Sequence, residues 1–148
     1  RGRVMVARAG RPAVIQYFLT SDIAKKEFRD NHCLWVRGEE VLDSVRVIRI
    51  DFAPAERIGS TDWEGSIFLH AGTGLLWRSR AALTKVPRNA RGGLVSASCE
   101  VTYTEIVPTL VHEKNADCRV GLAGPLEVVR REAFSLLKWQ FLGKEPGR

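Results

Sequence analysis

The 148 residues fit one domain, and a chain of that size buries roughly two thirds of its unfolded surface. A hydrophobic fraction of 45% against 27% charged excludes global disorder, and no run reaches the roughly 18 apolar residues of a spanning helix. The net charge of +6 admits nucleic acid, acidic headgroups or simple solubility. The basic residues are scattered (Arg78 with Arg80, Arg88 with Arg91, Arg130 with Arg131), so nucleic acid is not favoured as a partner.

Arg1-Gly2-Arg3 opens the chain without an initiating Met, and residues 1–20 lack the apolar centre of a secretory signal. The expectation is a single β domain over 1–148, cut from a longer chain. Residues 3–8 and 13–19 read as strands separated by Gly10-Arg11-Pro12. Thr20-Ser21-Asp22 offers N-cap oxygens for a short helix over 22–30, with Ile23 and Phe28 inward and Lys25, Lys26 and Glu27 outward.

His32–Val36 is extended, and Glu39–Ser44 is polar enough for a turn. Residues 45–53 are β-branched; Ile48, Ile50 and Phe52 share one face, Arg49 and Asp51 the other. Pro54 ends that strand, and 54–63 reads as a loop. Gly65–His70, the turn Ala71-Gly72-Thr73-Gly74 and a return strand over 75–86 form a β-hairpin. After a polar connection over 88–93, residues 94–107 alternate strictly. Val95, Ala97, Cys99, Val101 and Tyr103 lie on the dry side, Ser96, Ser98, Glu100, Thr102 and Thr104 on the wet side.

Past Pro108, two short strands are expected at 109–113 and 118–122, with a turn at Lys114-Asn115-Ala116-Asp117. Residues 126–142 fit helical and extended spacing about equally, and extended structure is favoured over 134–142. The fold class expected from these elements is mainly β: a curved, half-barrel-like antiparallel sheet with one short helix near 22–30.

Chemistry-bearing residues are sparse. Cys33, Cys99 and Cys118 are an odd set, compatible with one bridge and a buried thiol or with three reduced, buried thiols. Whether Cys33 pairs with Cys99 or Cys118 is open. Zinc requires closely spaced ligand pairs, and His32-Cys33 point to opposite faces of a strand, so no metal site is expected. A nucleophile at Cys33 with His70 or His112 lacks any marker of an activating base or oxyanion hole. Glu39-Glu40 and Asp62/Glu64 sit in expected turns, and Gly72-Thr73-Gly74 lacks the Lys-Ser/Thr of a phosphate loop. No catalytic residue and no cofactor is assigned. Of Trp35, Trp63, Trp77 and Trp139, Trp77 shares its strand with Arg78 and Arg80, and these three are the candidate ligand-stacking stripe.

Three segments carry a resemblance: His32-Cys33 at the start of a strand, Ile48-Arg49-Ile50-Asp51-Phe52-Ala53-Pro54-Ala55, and Asp62–Thr73 followed by Leu76-Trp77-Arg78 and Leu83-Thr84-Lys85-Val86-Pro87. They resemble the β domain that follows the carboxypeptidase-regulatory-like, transthyretin-like domain of exported bacterial proteins. The match covers about the central 60 residues, with an echo at Glu105-Ile106-Val107-Pro108. His70 stands where that family commonly has Asp. The resemblance implies a periplasmic or outer-membrane-associated, non-catalytic domain with an upstream transthyretin-like domain in the same chain. It also implies an analogy to the half-barrels of periplasmic lipoprotein carriers. The function expected is binding of a protein, glycan or lipid through a sheet face. The alternatives are a basic nucleic-acid module or a Cys/His enzyme.

Overall fold

The computed structural model describes residues 3–8, 11–16, 23, 25–55, 62–84, 86, 94–122 and 128–138. Among these, β1 (Arg3–Arg8) and β2 (Arg11–Gln16) pair antiparallel as a two-stranded sheet. Arg11 and Pro12 belong to β2, opposite Arg8 and Ala7, so they lie inside the ladder rather than in the punctuation expected there. Of the second strand expected over 13–19, residues 17–19 lie outside the described residues.

The main body is one unclosed, curved antiparallel sheet. Its order is β3 (His32–Leu42), β4 (Val45–Pro54), β5 (Trp63–His70), β6 (Leu76–Leu83), β7 (Leu94–Val107), β8 (Leu110–Leu122) and β9 (Val128–Ser135). Each strand pairs with its chain neighbour, so short connections suffice throughout. Register shifts in the β3–β4, β5–β6 and β7–β8 ladders mark bulges, which bend and twist a sheet locally.

Residues directly opposite each other share a face, so the ladders can be read across the sheet. One row runs Phe52, Gly65, Ala81, Cys99, Cys118; the next runs Ile50, Ile67, Ser79, Val101, Ala116. These rows form the apolar face. Phe52, Ala81, Val101, Ala116 and Val120 are all buried there. Gly65 lets β5 and β6 close up beneath Phe52. A Cβ on it would stand 1.9 Å from the Arg80 carbonyl oxygen. Ser79 Oγ and Tyr103 Oη, 3.1 Å apart, satisfy each other within this apolar layer.

Helix α1 (Lys26–Asn31) covers one end of the face. Ile23 and Phe28 pack on the cluster of Phe52, Ile67 and Ala81, as the sequence predicts. The His32 ring stacks on Phe28 at 3.7 Å. Its Nδ1 lies 3.0 Å from the Phe28 carbonyl oxygen and its Nε2 3.2 Å from that of Trp63. One buried imidazole thus ties the helix end to β5. The helix starts at Lys25 without a side-chain cap. Thr20 to Asp22, expected to supply one, lie outside the described residues.

Several expectations are corrected. The turn expected over Glu39–Ser44 shrinks to Asp43-Ser44, both at positive φ, because Glu39 to Leu42 continue the β3–β4 ladder. The two strands expected at 109–113 and 118–122 are one strand, β8. Thr102 opposes Asn115 and Tyr103 opposes Glu113, so Lys114 is the extra residue of a bulge. Asn115 and Asp117 are polar because they face the wet side, while Ala116 between them is core. Extended structure lies at 128–135, so the expectation over 134–142 holds for Phe134 and Ser135 and fails for Leu136 to Lys138, which follow the strand irregularly; 139–142 fall outside the described residues. Val95 is exposed rather than dry, because a register shift between Leu94 and Ser96 takes it out of the alternation.

The cysteines resolve into a Cys99–Cys118 disulfide, with Cys33 free and exposed rather than buried. Cys33 pairs with neither.

Candidate polar-face binding site

The opposite face of the sheet is built from the residues that alternate with the core. One row runs Trp35, Asp51, Ser66, Arg80, Glu100, Asp117 across β3 to β8. Beside it run Arg49, Phe68, Arg78, Thr102, Asn115 on one side and Glu64, Ala82, Ser98, Arg119 on the other. The face is not simply wet. Val47 is fully buried and Phe68 buried on it, and the Arg80 guanidinium lies 5.5 Å from the Phe68 ring centre. Long cationic side chains cover apolar surface while keeping their heads in water.

Asp51 is the centre of the first charge cluster. Its carboxylate accepts hydrogen bonds from Arg49 Nε at 2.7 Å, Ser66 Oγ at 2.7 Å and Arg37 Nε at 2.8 Å. Burial pushes this carboxyl up, but the hydrogen bonds from Arg49, Ser66 and Arg37, with the Arg49 charge, outweigh it and hold the pKa down to about 2. The Arg49 guanidinium is raised above its ordinary value by the same hydrogen bond.

Arg78 is the centre of the second cluster. It bridges Asp43 in the β3–β4 turn and Glu100 on β7, the latter at 3.1 Å, and Glu100 also takes a 3.1 Å bond from Arg80. The Arg78 guanidinium carbon lies 4.5 Å from the Trp77 ring centre. Its Nε is buried and has no hydrogen-bond partner among the described residues.

This places the three stripe residues. Trp77 is the extra residue of the β5–β6 register shift, half-buried and covered on one ring face by Arg78. Arg78 is only 12% exposed and is committed to internal carboxylates. Arg80, at 46%, still reaches solvent. The Trp on the polar row is instead Trp35, 44% exposed at the β3 edge.

An open groove of about 460 Å³ lies along this face over β5 to β8. Ser66, Ala82 and Ser98 make a small-residue floor, with Gly65 and Ala81 of the core row between them. Glu64, Arg80, Glu100, Asp117 and Arg119 supply charges of both signs around it. Glu64 and Arg119 stand in one row with Ala82 and Ser98 between them, roughly 14 Å apart at three strand spacings. Alternation puts Asp51 and Glu100 on the outward side in the sequence. The register that lines up Glu64 with Arg119 has no local sequence signal.

The sheet separates the alternative nucleophile and base. Cys33 opposes Ala53 and His70 opposes Val47, six residues along β4, or about 20 Å. His112 lies on β8, its ring against the Glu113 carbonyl. Among the described residues no three His, Cys, Asp or Glu side chains converge as metal ligands.

Comparison with protein-family models, with curated proteins and with solved structures finds no match to this chain.

Proposed function

We propose that this chain is a non-catalytic domain of an exported cell-envelope protein, and that it binds a partner protein through the groove on its polar sheet face. The groove carries the reading: a small-residue floor with Glu64 at one rim and Arg119 at the other fits an extended segment bearing both signs of charge. Charge complementarity of this kind sets register and excludes wrong partners. The lipid version has less support, because Phe52, Val101, Ala116 and Val120 on the apolar face are already buried. The glycan version rests on the exposed Trp35, since among the described residues no aromatic side chain lines the groove. The nucleic-acid reading is weakened by pairing: Arg37, Arg46, Arg49, Arg78 and Arg80 each hold a carboxylate.

Two features support the envelope setting. The Cys99–Cys118 bridge suits an oxidising compartment. The segment that resembles the post-transthyretin-like β domain spans β3 to β6. An export signal and an upstream transthyretin-like domain in the full reading frame would agree with it; a frame with neither would end that part of the proposal.

The binding claim is tested by backbone amide NMR of the labelled chain, titrated with short peptides carrying one Lys and one Glu, with chito-oligosaccharides and with duplex DNA at low salt. Peptide-induced shifts at Ser66, Ser98 and Arg119, lost in Glu64→Lys and Arg119→Glu, are expected. Shifts centred on Trp35 with sugar alone would favour the glycan reading. Binding of DNA alone would replace both.

A further inference from the structure

Strand β3 is an edge of the main sheet: among the described residues it pairs only with β4. Its outward side chains include Trp35 at 44%, Val36 at 71% and Val41 at 69% exposed. An edge of this length with exposed apolar side chains is a template for another strand. We propose that β3 pairs antiparallel with β3 of a second copy of this chain, joining two sheets across a two-fold axis at Glu39, beside its bulge.

The bulge decides the register. Val36 opposes Ile50 and Gly38 opposes Arg49, so Arg37 is the extra residue. One inserted residue reverses which face the following odd and even positions take. Trp35, Glu40 and Leu42 therefore lie on the polar face, opposite Asp51, Val47 and Val45. Leu34, Val36 and Val41 lie on the apolar face, opposite Phe52, Ile50 and Arg46. Arg37 leans to the polar face, where it holds Asp51.

Cross-strand neighbours must share a face. A two-fold axis at Glu39 satisfies this by setting Val36 against Val41, Trp35 against Leu42 and the bulge pair Arg37-Gly38 against Glu40 of the second copy, each pair occurring twice; Glu39 meets its own copy on the axis, each held by Arg46. The two most exposed valines of the strand then cover each other, and each Arg37 faces an opposite charge. A shift of two residues one way sets Val36 against Glu39 and Trp35 against Glu40; the other way it sets Val36 against Asp43 and Arg37 against Leu42. Both shifts place charge against apolar surface, so the sequence favours the first register. An interface of this kind is isologous and closes at two copies.

Sedimentation velocity of the 148-residue chain, from micromolar to submillimolar concentration, tests this. A monomer–dimer equilibrium is expected. Val36→Lys and Glu40→Arg should each raise the dissociation constant about tenfold or more, since every altered pair occurs twice. Arg37→Glu combined with Glu40→Arg should restore association. A Cys33→Ser background carrying Val36→Cys and Val41→Cys should form a covalent dimer on oxidation, an arm that leaves Arg37 and Asp51 untouched. A chain monomeric at every concentration, or a dimer indifferent to both single substitutions and not trapped by the cysteine pair, overturns the proposal.

Discussion

Cys99 and Cys118 stand directly opposite each other on β7 and β8, and their disulfide lies in the same cross-sheet row as Phe52, Gly65 and Ala81. The bridge therefore staples the longest ladder of the sheet at the level of its apolar layer. It closes a loop of sequence separation 19. Reduction, or replacement of both cysteines by Ala, is expected to cost about 3 kcal/mol in the chain-entropy treatment. Urea unfolding with and without reductant measures it; coincident midpoints would show that the bridge contributes nothing.

The Asp51 cluster gives a pH dependence of known sign. The native pKa is lowered from 3.8 to about 2, so the ionised form is favoured by folding. That stability is fully present above the unfolded value and is lost as pH falls from about 4 through about 2. It amounts to about 2 kcal/mol. Asp51→Asn should flatten the acid limb of a stability-versus-pH curve over that window. An unchanged acid limb would mean that the hydrogen bonds from Arg49, Arg37 and Ser66 do not favour the carboxylate.

Arg78 and Arg80 share a strand and a face but differ in consequence. Arg78 is 12% exposed, spans Asp43 and Glu100, and lies over Trp77, so Arg78→Ala should destabilise by about 2 kcal/mol. Arg80 is 46% exposed, and Arg80→Ala should cost under about 1 kcal/mol. Equal losses in thermal or urea unfolding would contradict this division into an internal brace and a solvent-reaching charge.

Gly65 is required by close approach rather than by dihedral freedom. Its missing side chain leaves room for the Arg80 carbonyl, which a Cβ would meet at 1.9 Å. Gly65→Ala must push β5 away from β6 and should destabilise by more than about 2 kcal/mol. Gly72→Ala is the control, since there the nearest neighbour is the His70 ring at 3.3 Å, which can move aside. Similar melting curves for the two variants would show that the sheet absorbs the added carbon.

Among the described residues Phe52 is the largest fully buried side chain. Phe52→Ala removes the surface against which Phe28 packs edge-on at 5.6 Å, and should cost about 3–5 kcal/mol. Loss of protection at the α1 amides in hydrogen exchange would accompany it. If α1 remained protected, the His32 contacts and the packing of Ile23 and Phe28 on Ile67 and Ala81 would suffice to hold the helix.

The sequence by itself determined the strands over 45–53, 65–70 and 94–107, the hairpin at Ala71–Gly74, the inward placement of Ile23 and Phe28, and the mainly β class. Alternation and turn chemistry are local, so a single chain displays them. Only the tertiary structure decided register. It converted Lys114 from a turn residue into a bulge, carried Trp77 out of the ladder and under Arg78, and joined Cys99 to Cys118. It also set Glu64 and Arg119 at opposite rims of one groove. The physical reason is that each strand's partner lies on another segment, and one inserted residue there changes which side chains meet.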